Sequence, residues 1–119
     1  MANVKDTLAE LLQIDGATAC AIVDANSGMV LGKDGTGVNL DVAAAGNTEV
    51  VRAKLKTMKT LGIKDKIEDI LMTLTNQYHI VRPIAEKPGL FIYIVLDRAR
   101  ANLAMARYRV NECEAALQV

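Results

Sequence analysis

The sequence predicts an α/β domain of the mixed, α+β kind, with element order α-β-β-α-β-β-β-α around a mostly antiparallel sheet of five strands. Three observations predict it. Apolar residues recur at helical spacing near both ends and through a long central segment. Between them lie short runs rich in β-branched and aromatic residues, joined by links too short for parallel crossovers. Two of those runs, residues 17–24 and 90–96, are apolar on both alternating sets, so helices must cover both faces of the sheet.

Residues 3–13 form the first helix, since Val4, Leu8, Leu11 and Leu12 fall on one side. Asn3 supplies the N-cap and Gly16 the stop. Residues 17–24 form a strand, with Ala17, Ala19, Ala21 and Val23 on one side and Cys20 and Ile22 on the other. Ala25-Asn26-Ser27-Gly28 is turn chemistry, and residues 29–33 return as the second strand of a hairpin. Residues 33–39, with Gly35 and Gly37, read as a loop. A long helix spans residues 40–61, capped by Asn39, with Asp41 in its first turn and Gly62 as its stop. Residues 66–73, 78–84 and 90–96 are three further strands, with turns at Asn76-Gln77 and Lys87-Pro88-Gly89. The run of residues 90–96 has no polar face and belongs at the sheet centre. Asp97 is expected to cap a final helix whose Ala99, Leu103, Ala106, Val110, Cys113 and Leu117 make a 3.6-period stripe.

The 119 residues fit one domain, 1–119. A hydrophobic fraction of 51% with 24% charged residues suits a packed core and excludes a disordered chain. The longest apolar run is far shorter than the ~20 residues a spanning helix needs, so no membrane insertion is expected. The first residues show no basic stretch followed by a long apolar one, hence no secretory signal. Cys20 and Cys113 stand alone and far apart, which suggests reduced thiols and a cytoplasmic protein. Fourteen basic and fourteen acidic residues balance and read as interspersed, and only Phe91, Tyr78, Tyr93 and Tyr108 are aromatic. A nucleic-acid partner is therefore not expected.

Catalytic chemistry is hard to assemble from these residues. Gly32-Lys33-Asp34-Gly35-Thr36-Gly37 lacks the spacing of a phosphate-binding loop, because no lysine follows the last glycine and Val38-Asn39 precede the helix. It reads as a flexible strand-to-helix loop. His79 is the only histidine, so neither a metal site nor a triad is expected, and it reads as structural or as a surface group. Cys20 has no flanking activator and reads as a buried thiol, as does Cys113. Asp65, Glu68 and Asp69 would bind a basic partner or cation, or else discourage stray pairing at an edge strand. No cofactor and no enzyme activity are expected.

The long helix carries more apolar surface than one contact needs. Leu40, Ala43, Ala44, Val50, Val51, Leu55 and Met58 are expected to face the sheet. A second stripe of Val42, Gly46, Ala53 and Thr57 lies roughly a third of a turn away at ~100° per residue. A sheet contact needs a stripe of only about 100°. Glycine in mid-helix is unfavourable by about 1 kcal/mol relative to alanine unless something packs there. The stripe therefore suggests a second helix, most simply its own copy across a two-fold axis. The plainer alternative is that alanine is a good helix former and Gly46 a tolerated blemish. Asn47 either bonds across that contact or meets local backbone.

Several stretches resemble the Roadblock domain family. They are Ile14-Asp15-Gly16-Ala17 leading into a strand, then Ile22-Val23-Asp24 and Ser27-Gly28-Met29-Val30-Leu31-Gly32. Ala43-Ala44-Ala45-Gly46-Asn47-Thr48-Glu49 is similar to a bacterial branch of that family. Ile67-Glu68-Asp69-Ile70-Leu71 and Leu90-Phe91-Ile92-Tyr93-Ile94-Val95-Leu96-Asp97-Arg98 resemble its third and fifth strands. The resemblance implies the long helix on one face of the sheet and the two terminal helices on the other. It implies a homodimer in which long helices pair and sheets meet at the third strand, which adds Asp69 and Leu71 to the candidate interface. It implies a non-catalytic partner protein. Such partners include dynein light chains and scaffolds or activators of small Ras-like GTPases, and the bacterial cast favours a GTPase. A small-molecule-sensing domain, for which the alanine-rich first strand would leave space, and a motor light-chain-like adaptor are the alternatives.

Overall fold

A computed structural model describes residues 2–119, and the expected order is present: α1 (Val4–Leu12), β1 (Ala17–Asp24), β2 (Met29–Gly35), α2 (Leu40–Thr60), β3 (Ile70–Thr73), β4 (Gln77–Pro83), β5 (Leu90–Asp97) and α3 (Leu103–Ala116). The strands form one sheet in the order β2-β1-β5-β4-β3. Every neighbouring pair is antiparallel. The all-apolar β5 sits in the middle, paired with β1 from Ala17↔Leu96 to Asp24↔Leu90 and with β4 from Gln77↔Asp97 to Pro83↔Phe91.

Alternation along the two central strands builds two cores. Cys20, Ile22, Ile92, Ile94 and Leu96 face α1 and α3, meeting Leu8, Leu11, Ala106 and Val110. Ala19, Ala21, Val23, Phe91, Tyr93 and Val95 face the other way, toward Leu40, Ala44 and Val51 of α2. Each large aliphatic side chain so buried contributes about 1.5–3 kcal/mol. Ala19 and Ala21 of β1 are fully covered. The space their small side chains leave is thus taken up by α2, not by a cavity. Ala17, expected on the same side, lies beyond a register shift at residues 17–19 and packs partly buried against the α1 and α3 core instead. Asn3 and Asn39 cap α1 and α2 as expected, accepting from Asp6 N at 2.8 Å and Val42 N at 3.2 Å.

Element limits differ from expectation where tertiary partners set them. β2 continues through Lys33 and Asp34 to Gly35, which pairs with Ala19. There φ is +93° and a side chain would strike the Thr18 carbonyl, so glycine is required on both counts. Residues 33–35 of the expected loop are therefore strand. β3 begins at Ile70, not at Lys66. In register, Ile70 meets Val81, so an earlier start would run alongside Arg82 and Pro83. Proline has no N–H to offer a ladder. Asp97 does not cap α3. Its carboxylate accepts from Ala99 N and from Arg100 Nε within a turn, and Asn102 takes the cap, accepting from Met105 N at 3.0 Å. Ala99 is accordingly exposed and outside the helical stripe, whereas Ala106, Val110, Cys113 and Leu117 are buried.

α3 is fastened at its C-terminal half. Glu114 accepts from Arg82 Nε and from Ala85 N, and Arg82 also donates to Asn111 Oδ1 at 2.8 Å. Both members of that ion pair are largely buried. Ala2 adds a parallel bridge to Leu117, donating to the Ala116 carbonyl at 2.7 Å.

Candidate interaction surface

The buried residues of α2 are Leu40, Ala44, Thr48 and Val51. Val50 and Leu55, expected to face the sheet, are 41% and 51% exposed. The two depart for different reasons. Val50 lies three residues before Ala53 and four after Gly46, which puts it on the outward stripe. Leu55 stays on the sheet side of the helix, at a level where little covers it.

The outward stripe therefore comprises Val42, Gly46, Val50, Ala53 and Thr57, all exposed. A Cβ built on Gly46 meets no heavy atom within 4 Å. Nothing among the described residues packs on the glycine. The stripe carries no unsatisfied polar group, because the Thr57 hydroxyl donates to the Ala53 carbonyl at 2.9 Å. Asn47 is likewise satisfied locally, donating to the Ala43 carbonyl at 2.8 Å.

The third-strand candidates are placed differently. Asp69 accepts two hydrogen bonds from Arg107 of α3, each 2.8 Å, and its side chain is 10% exposed. Leu71 packs against the core under α1 and α3. Their side chains thus turn to the layer opposite α2. What β3 offers is its outer backbone edge, since it is the last strand and pairs only with β4. On the α2 side that edge is flanked by exposed Met72 and Leu74. Val50 was recoverable from helical spacing alone, and Met72 from its alternation with Leu71.

The buried Thr7 hydroxyl has no hydrogen-bond partner among the described residues, whereas His79 is engaged at both ring nitrogens. His79 Nε2 donates to Gln77 Oε1 at 2.8 Å, and its Nδ1 accepts from the Tyr93 hydroxyl at 3.0 Å. Burial lowers the pKa of His79 and raises that of Tyr93. No nucleophile adjoins the ring among these partners, which suits a structural histidine. Cys20 and Cys113 are free and buried, and burial pushes the Cys20 thiol up to about 12. Among the described residues, no group of three or more His, Cys, Asp or Glu is placed to hold a metal. A cleft of about 550 Å³ opens between α1 and α3, with Arg109 in its wall held between Glu10 at 3.7 Å and Glu112 at 3.5 Å. Its charged groups are engaged with each other.

No family model matches the chain, and no curated protein matches it. Solved structures do. A Roadblock/LC7 domain from Streptomyces avermitilis superposes with a TM-score of 0.82 at 14% identity, covering 97% of this chain and 94% of that one. The chain has the Roadblock/LC7 fold. Two further structures carry it. The gliding protein MglB from Thermus thermophilus superposes with a TM-score of 0.81 at 18% identity, over 93% of this chain and 82% of that chain. MglB in a tetrameric arrangement gives 0.82 at 19% identity, over 95% and 83%. The expected distribution of helices over the two sheet faces is the observed one.

Proposed function

We propose that this chain is a non-catalytic, homodimeric regulatory adaptor of the cytoplasm that binds and modulates or localises a small Ras-like GTPase. The observation that carries the reading is the outward stripe of α2, where a mid-helix glycine and four small or β-branched side chains stand exposed with no partner in the chain. Small residues let two helix axes approach closely, and a two-fold axis through Gly46 would bury the stripe against itself. The open edge of β3, with the backbone around Asp69 and Leu71, would extend the same contact by strand pairing. The fold likeness to MglB supports the reading, since one such structure is a gliding protein and another is a tetrameric arrangement. The GTPase partner follows from the family resemblance of the residues themselves.

Two measurements test it together. Light scattering should give about twice the chain mass of 12.8 kDa. Titration with a Ras-like GTPase from the same genome, loaded with either a GTP analogue or GDP, should show nucleotide-dependent binding. A monomer at tens of micromolar would remove the platform. A dimer indifferent to the GTPase in both states would remove the partner. The small-ligand alternative finds less support, because α2 fills the space beside Ala19 and Ala21 of β1.

A further inference from the structure

The charges balance over the whole chain but not in space. Residues 52–66 hold six cations (Arg52, Lys54, Lys56, Lys59, Lys64, Lys66) and one acid, Asp65, a local +5; the rest holds eight cations and thirteen acids, −5. The expectation of interspersed charge fails in this segment. All seven groups are exposed. Arg52 is engaged, donating to the Asn26 carbonyl at 2.6 Å and lying 3.5 Å from Glu49. The five lysines form no ion pair with any described residue. Lys59, in the last turn of α2, complements the helix dipole. The dipole does not account for Lys64 and Lys66, which lie beyond the helix.

Apolar residues alternate with these lysines along the sequence. Beyond Val51, every residue of α2 is exposed except the half-buried Met58. Leu55, Leu61 and Ile63 are 51%, 67% and 44% exposed. We propose that the exposed side chains of residues 52–66 other than Ala53 and Thr57, which belong to the outward stripe, form a peripheral docking surface for an anionic lipid bilayer. The lysines would meet the headgroup field, while Leu55, Leu61 and Ile63 would reach the boundary with the acyl chains.

The choice of residues favours a bilayer over other polyanions. Lysine is depleted at protein–protein interfaces, where arginine's planar fork is preferred. The only arginine here is already occupied. The segment has no aromatic residue on which a base would stack. A diffuse layer of anionic headgroups needs no directional fork, and lysine stems can lie along apolar surface while their ammonium groups stay in the headgroup layer. This inference does not rest on the GTPase reading.

The test is cosedimentation with vesicles of phosphatidylcholine containing about 30% phosphatidylserine, against pure phosphatidylcholine, at low and high salt. The chain should bind only the anionic vesicles, and high salt should weaken binding. Each lysine near such a surface is worth about fivefold, so Lys59→Gln/Lys64→Gln/Lys66→Gln should weaken partitioning about a hundredfold. Those side chains lie off the outward stripe and hold no ion pair, so circular dichroism should be unchanged. Lys5→Gln/Lys87→Gln, exposed lysines elsewhere, should retain binding. Three results would overturn the assignment: no binding to anionic vesicles at low salt, equal loss in the control variant, or tighter binding to duplex DNA or polyglutamate than to the vesicles.

Discussion

Replacing Gly46 with leucine separates the effect of the side chain on the helix from its effect on association. In the single chain an added Cβ at this position meets no heavy atom within 4 Å, so the monomer has room for leucine. Leucine is also favoured over glycine in a helix by nearly 1 kcal/mol. For a domain of this size that gain is worth about 4 °C in melting temperature. A helix pair crossing at Gly46 would respond in the opposite sense. Two leucines would stand at one close contact, at a cost of about 1–3 kcal/mol. The dissociation constant should then rise about tenfold to a hundredfold. Sedimentation velocity over a concentration series measures the second effect. Thermal melts at a concentration low enough to keep both proteins monomeric measure the first. Weaker association with a more stable monomer is the expected pair of results. Unchanged association with a raised melting temperature would refute the crossing at Gly46 and leave the fold untouched.

Three other perturbations follow from the packing. Gly32→Val should lower stability by about 1–3 kcal/mol, because a Cβ there comes within 2.6 Å of Val4 Cγ1 and 2.9 Å of Leu8 Cδ1; an unchanged melt would show that α1 is not seated on β2 as described. The pKa of His79 is lowered by burial, so the unfolded chain takes up its proton first. Stability is then full above the unfolded value of about 6.5 and declines as pH falls through the window below it; in His79→Gln that slope should flatten, and a slope that persists would assign it elsewhere. Cys20, with its thiol pushed up to about 12 inside the core, should resist a thiol reagent at mildly alkaline pH until the chain is unfolded, and prompt labelling of the folded protein would contradict that burial.

What the sequence determined by itself was whatever short-range chemistry controls. The caps at Asn3 and Asn39, the turn before Met29, the two-faced apolarity of residues 90–96 and the helical stripe from Leu103 to Leu117 depend on neighbours within a few residues. They specify elements, element order and a central strand. The tertiary structure decided where each element stops and which side chains remain uncovered. β3 starts late because its partner strand ends in Pro83, and α3 starts late because residues 98–101 turn before Asn102 can cap. Asp69 looked available at an edge until Arg107, 38 residues along, was brought onto it. Leu55 has the azimuth of a core residue and Val42 that of a surface one, yet both are exposed, because burial depends on what lies above a residue and not on its own period. A helical pattern fixes direction around an axis. Only the packed sheet fixes how far along that axis the cover extends, and therefore which apolar residues of α2 are left uncovered.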